Sequence, residues 1–159
     1  MSDLGENYLL EQTLEEEDTA KDLYLIFETD EEEYALDVAN VIEIIPLLGI
    51  TFVPHVPEYI KGIINLRGDI VPVISVRARF MKPKVDYSDA ACIIVIRHEE
   101  FTLGLITDAV KGTMTIREEQ ISAPPSARLN YSNLFVKSIG QTDSGIKLLL
   151  DLEKVIFEG

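Results

Sequence analysis

Gly62-Ile63-Ile64-Asn65-Leu66-Arg67-Gly68-Asp69-Ile70-Val71-Pro72-Val73-Ile74 is two apolar runs parted by a short polar turn, and its reading decides the fold. Ile70, Val71, Val73 and Ile74 are β-branched and fit a pleated surface. Gly62 and Gly68 mark positions where the backbone needs φ > 0 or a close approach. The two runs therefore predict a β-hairpin. Pro72 has no N–H to give to a ladder, so its strand is an edge or carries a bulge there. Arg67 then sits at the hairpin mouth, with five donors on a rigid frame. It is either a binding residue or a structural arginine that holds its own loop.

Outward from this hairpin the chain reads as more short strands. Leu23 to Phe27 is the first, Asp30 to Glu33 a charged tip, and Tyr34-Ala35-Leu36-Asp37-Val38 alternates on the way back. Val41, Ile44 and Ile45 have helical spacing, but their β-branching favours strand. Ile50 to Val53 is another short strand, and Pro57 starts a turn through Tyr59 and Ile60. Ser75 is placed to cap a short helix ending near Phe80. Residues 81–90 are a polar connector. Strands resume at Ala91 to Arg97, Phe101 to Thr107, Thr113 to Arg117 (with Gly112 just before it), Leu134 to Ile139 and Ile146 to Leu150. Asp151 caps a last helix, Leu152 to Phe157.

The two halves repeat each other. Tyr34-x-Leu36-x-Val38 matches Phe101-x-Leu103-x-Leu105, and Ser75, Val76 and Phe80 match Asp151, Leu152 and Ile156. Each half is a hairpin, a third strand, a proline-bearing loop, a second hairpin and a capped helix. Short, evenly spaced strands suggest closed barrels, which remove exposed edges. The expected fold is all-β: two small five-stranded barrels packed side by side, with a few short helices. The first barrel is mostly 23–80 and the second mostly 91–157, with room for strands to be exchanged between them. Leu25, Phe27, Leu36, Ile64, Val73, Ile94, Leu103, Leu105 and Leu149 are the expected core.

Charge narrows the function. The formal net charge is −14, and residues 1–33 hold thirteen acids against Lys21 alone. The acidity belongs to a leader, residues 1–22, expected to be flexible, and to the first hairpin. No basic stripe is present to meet phosphates, so nucleic acid is not an expected partner. No apolar run reaches the roughly 20 residues of a bilayer span, and the acidic N-terminus is unlike a secretory signal. Cys92, in an apolar run, reads as a buried thiol in a reducing compartment. His55 and His98 lack metal-ligand spacing with each other or with Cys92. No phosphate-binding glycine loop or nucleophile elbow occurs. No catalytic residue, metal or cofactor is expected; a binding module in the cytoplasm is.

From Leu23 to Phe157 the chain resembles the CheW family of chemotaxis coupling proteins. The resemblance rests on Tyr34 to Val38 with Val41-Ile42-Glu43-Ile44-Ile45, on Ile50-Thr51-Phe52-Val53-Pro54, and above all on Ile60 to Gly68 followed by Ile70-Val71-Pro72-Val73-Ile74. Thr107-Asp108-Ala109-Val110 and Gln120 to Pro124 add weaker matches. It implies two SH3-like barrels and a scaffold without catalysis. It also implies partners: the cytoplasmic tips of methyl-accepting chemoreceptors and the regulatory domain of the histidine kinase CheA, in arrays at the inner membrane. The family's receptor-facing positions carry over onto Val41, Glu43, Gly62 and Arg67, whereas kinase contacts are placed only at barrel ends. Ser75 stands where the family often has Asp, and the acidic leader is longer than usual. An adaptor in another chemoreceptor-like pathway, such as pilus motility, stays open beside this reading, as does a small enzyme or ligand-binding barrel.

Overall fold

The computed structural model describes residues 21–47, 49–124 and 134–158. Most of the acidic leader and of the proline-rich loop after Ser122 lies outside them. β1 (Leu23–Thr29) and β2 (Glu32–Asp37) form the first hairpin, and one 3-10 turn leads into β3 (Val41–Pro46). β4 (Ile60–Leu66) and β5 (Asp69–Ser75) form the second hairpin and run into α1 (Val76–Arg79). The second half repeats the series as β6 (Cys92–His98), β7 (Phe101–Thr107), β8 (Ala109–Thr115), β9 (Ile121–Ser122), β10 (Val136–Thr142), β11 (Gly145–Leu150) and α2 (Leu152–Phe157). Ser75 and Asp151 cap the two helices as expected, accepting from the N–H of Ala78 and Lys154.

The fold is all-β, in two sheets of orders β8-β1-β2-β11-β10-β9 and β3-β6-β7-β5-β4. Each sheet joins the opening hairpin of one half to the third, fourth and fifth strands of the other. The exchanged hairpins are held on one side by antiparallel pairing, β1 to β8 and β6 to β3. On the other side the ladders are parallel and short: Leu148 and Leu149 opposite Tyr34 and Ala35, and Val73 to Ser75 opposite Gly104 to Ile106. The sheets have six and five strands rather than five each, β9 being the addition. No ladder among the described residues closes either sheet into a barrel.

Period-two alternation divides the apolar residues among three cores. Leu25, Phe27, Tyr34, Leu36, Ile94, Ile96, Leu103 and Leu105 face the space between the sheets. Their neighbours Ile93, Val95 and Ile106 fill the five-stranded sheet with Ile64, Val71 and Val73. Ile26, Ala35, Ile116 and Leu149 fill the other. β6 is buried on both faces, which is why it reads as an unbroken run from Cys92 to Ile96. All nine expected core residues are buried, none above 5 % exposed. A row of rings, Phe27 on Tyr34 on Phe80 on Phe135, crosses the central core at centroid spacings of 5.0–5.5 Å. Each such pair contributes ~0.5–1.5 kcal/mol beyond its buried area.

Three local readings are corrected. Gly112 lies inside β8, where the register with β1 shifts between Ile26 and Phe27, rather than ahead of a strand. Leu134 and Phe135 form a helical turn, and the strand starts at Val136. Cys92 is half-buried at the start of β6, with Sγ 3.7 Å from Thr107 Oγ1.

Each short parallel ladder is flanked by a charged pair. Lys147, 2 % exposed, donates to Glu33 at 2.6 Å beside β11 and β2. Arg77, on α1, grips Asp108 at 2.9 and 2.6 Å and also donates to Pro83 O. Asp108 Oδ2 accepts from the Asp30 N–H as well. Burial works against the Asp108 carboxylate, but the Arg77 hydrogen bond, the Asp30 N–H and the guanidinium charge outweigh it and hold its pKa below the ordinary value. A carboxyl depressed in the fold contributes stability that is complete above its unfolded pKa and is lost as pH falls through the folded one. Asp108→Asn should cost ~1–3 kcal/mol in denaturant unfolding at pH 7, because it takes from Arg77 its bidentate carboxylate and leaves it Asp30 and the Pro83 carbonyl. That difference should shrink as pH drops below the ordinary carboxylate range, and a difference flat across the acid limb would show that the pair is not the cause.

Candidate functional site

The hairpin β4–β5 turns in two residues, with Leu66 opposite Asp69. Arg67 has φ 53° and Gly68 φ 90°, the positive pair of a type I′ turn. Asn65 Oδ1 accepts from the Gly68 N–H at 3.0 Å and fixes the bend. Gly68 takes this conformation freely, but an L-residue such as Arg67 gives up roughly 1–2 kcal/mol to hold it. The strain places the Arg67 side chain over the mouth of the sheet.

There it meets Glu43 from β3. Nη2 donates to Oε2 at 3.2 Å, and Nη1 lies 2.9 Å from Oε1, off hydrogen-bond angle. β3 and β4 are the two outer strands of the five-stranded sheet, so this pair spans the seam where the curled sheet meets itself. Arg67's side chain stays 74 % exposed, against 24 % for Glu43. An exposed pair of this kind is worth ~0.2–1 kcal/mol. It orients the guanidinium, and among the described residues Nε and the outer N–H groups stay free to donate.

The seam has a second fastening. The chain leaving β3 returns to pair Thr51 with Ile63 on β4, by hydrogen bonds of 2.8 and 2.9 Å. Because Ile63 spends its N–H and C=O on Thr51, it offers none to Pro72 opposite, and the proline loses no bond. β5 is thus an inner strand whose proline lies just ahead of its ladder with β7, neither on a free edge nor at a bulge of its own. Gly62, at φ 151°, lies against Thr51: a Cβ there would overlap Thr51 O and crowd Ile50 Cγ2.

Of the four candidate positions, Glu43 and Arg67 are joined directly. Gly62 is buried and lets Thr51 approach, by a single bridge where the sequence suggested a strand from Ile50 to Val53. Val41 is half-buried and packs on the central core. A bulge between Val41 and Glu43 turns Ile42 outward instead, 46 % exposed. Ile42 joins Leu66, Ile70 and Val71 in the apolar part of a cleft of about 440 Å³ at the sheet mouth, rimmed by Arg67, Asp69, Arg97, Glu100 and Thr102. Ile63 and Ile64 do not line it. Ile42, Ile70 and Arg97 were missed by sequence reasoning. The one available signal was an isoleucine, Ile70, at the solvent-side end of a hairpin strand. Among the described residues, no group of three or more His, Cys, Asp or Glu is placed to hold a metal ion, and no helix is long and apolar enough to cross a membrane.

Comparison with known proteins places the same residues in context. The family model of the CheW-like domain matches residues 23–158. The chain is 31% identical over 133 residues to the chemotaxis protein CheW of Klebsiella aerogenes, covering 84% of this chain and 80% of that one. It is 34% identical over 137 residues to CheW of Thermotoga maritima, covering 84% and 87%. The crystal structure of the scaffolding protein TtCheW from Thermoanaerobacter tengcongensis superposes with a TM-score of 0.80 at 36% identity, covering 87% of this chain and 93% of that one.

The seam geometry makes two expectations. Gly62→Ala should lower stability by more than ~1 kcal/mol, since both the positive φ and the Thr51 contact oppose a side chain. Arg67→Gly should change it by less than ~1 kcal/mol, because relief of the turn offsets the lost ion pair. Thermal and denaturant unfolding of the two variants checks both, and the reverse ranking would place the seam's strength in the ion pair.

Proposed function

The chain belongs to the CheW-like domain family, and from that membership we propose that it is a non-catalytic adaptor coupling methyl-accepting chemoreceptors to the histidine kinase CheA. Chemotaxis is the common thread of the relatives' names, and the solved neighbour is titled a scaffolding protein. Such an adaptor works in the cytoplasm, at receptor arrays under the inner membrane. It needs preorganised surfaces rather than reacting groups.

The observation that carries this reading is the cleft at the sheet mouth, with Arg67 held over it by Glu43. A receptor tip is a helical hairpin. Helix-in-groove recognition takes apolar anchors on the floor and polar groups at the rim. Ile42, Leu66 and Ile70 supply the floor, Arg67 the rim. An arginine suits the position, since its fork holds carbonyls or a carboxylate while its stem covers apolar surface. Glu43 acts through Arg67, Gly62 through the Thr51 approach, and Val41 through the bulge that turns Ile42 outward. The kinase's regulatory domain docks on another end of the curled sheets, without large rearrangement.

Co-sedimentation with a receptor cytoplasmic fragment and the kinase regulatory domain tests the assignment. A ternary complex at tens of micromolar is expected; its absence at that concentration overturns the reading. Arg67→Ala should weaken receptor binding by ~1–3 kcal/mol, with melting temperature and kinase binding nearly unchanged. Equal loss of both partners would assign Arg67 to its own barrel. A chain starting at Lys21 should bind both partners as the full chain does; failure would give the acidic leader a part in the adaptor.

A further inference from the structure

The cleft has a second charged side that the family positions do not include. β5 and β7 run parallel, so the β4–β5 and β6–β7 turns stand at the same end of the sheet, around one mouth. Each turn carries an arginine and a carboxylate into it: Arg67 with Asp69, and Arg97 with Glu100. Arg97 is exposed, and its Nε donates at 3.3 Å to Glu99 O in its own turn. Among the described residues, no ion pair joins Arg97, Asp69 or Glu100 to an opposite charge. Arg67, by contrast, already has Glu43.

The mouth is therefore neither a cationic nor an anionic funnel. It is an apolar floor, with Ile42 at 46% and Ile70 at 61% exposure, flanked by charges of both signs in a fixed order. Rim charges of this kind set partner choice and register more than raw affinity, because a reversed order puts like charges together. An occupant must bring an apolar ridge and opposite charges at matching places. An amphipathic helix with mixed-charge flanks does so; a polyanion or a polycation does not.

We infer that Arg97 and Glu100 are specificity-determining residues that read the charge order of the helix seated in the cleft. The inference rests on the receptor reading above, and it adds a second contact line, on the β6–β7 turn, to the line at Arg67. Arg97 faces an acidic residue of the receptor helix and Glu100 a basic one. Receptors lacking that order bind through the Arg67 side alone and more weakly.

The test is the double variant R97E/E100R, which keeps net charge and composition and reverses only the order. Both residues are on the surface, so the variant should melt like the unmodified chain, and R97A/E100A replaces it if it does not. The probe is a chemoreceptor cytoplasmic fragment that the unmodified chain binds, with the kinase regulatory domain as control. The expected result is at least tenfold weaker receptor binding, unchanged kinase binding, and partial recovery with a receptor fragment whose facing charges are swapped. Receptor binding within twofold of the unmodified chain, while Arg67→Ala weakens it, overturns the inference and leaves the receptor reading standing. No effect of either change overturns both. Loss of kinase binding with receptor binding kept also overturns it, by giving the β6–β7 turn to the kinase.

Discussion

Neither half of this chain can complete a sheet by itself. Each opening hairpin has one face for a sheet interior and one for the space between sheets, and the strands that cover its edges belong to the other half. That constraint orders everything else. The central core exists because two hairpins are traded across it, so Phe27, Tyr34 and Phe80 from the first half stack toward Phe135 from the second. The parallel ladders are only two and three residues long, which is little backbone to hold an exchanged element. Lys147 with Glu33, and Arg77 with Asp108, add charge-assisted bonds at those two joints. Arg79 supplies a third tie. It lies between the rings of Tyr59 and Phe135 and donates to the carbonyls of Val155, Lys154 and Glu158, capping α2 from the other half.

Much of this was legible in the residues. Alternation identified the buried set correctly because period two is a property of single strands, whichever strand they pair with. Ser75 and Asp151 announced their helices through local chemistry, and Gly62 and Gly68 announced their backbone conformations for the same reason. The repeat between halves was visible as matched apolar letters. How the repeats combine was not, since exchanged and unexchanged hairpins bury the same faces. Bulges were also invisible: the extra residue Lys111 beside Gly112 and the outward turn of Ile42 depend on how a partner strand registers, which no local pattern records. The family positions were readable as letters, but their arrangement was not. A reader of the sequence has no means to see that Glu43 and Arg67, 24 residues apart, touch.

The site follows from the same architecture. A curled sheet with a seam needs fastening where its outer strands meet, and this chain uses one backbone bridge and one ion pair there. The fastening is also the scaffold of the cleft, so residues that look structural and residues that look functional are the same residues. Gly62 stabilises the seam by its lack of a side chain, and Arg67 accepts backbone strain so that its guanidinium stands over the mouth. Positive φ at a turn residue that carries a side chain, held by an otherwise regular hairpin, is a common way for a rigid frame to preset where that side chain stands.

The exchange of hairpins also has a history written into it. During synthesis the first hairpin is complete once Asp37 has emerged, yet the strand that covers its open side, Gly145–Leu150, is made more than a hundred residues later. At 5–20 residues per second the ribosome needs ~5–20 s to supply it. Through that interval β2 shows a bare edge of the kind that pairs with strangers. The acids at the tip, Asp30 to Glu33, are well placed to keep such an edge apart from other nascent chains. The charge crowded into the first turn of this protein thus sits at the edge that waits longest for its partner strand.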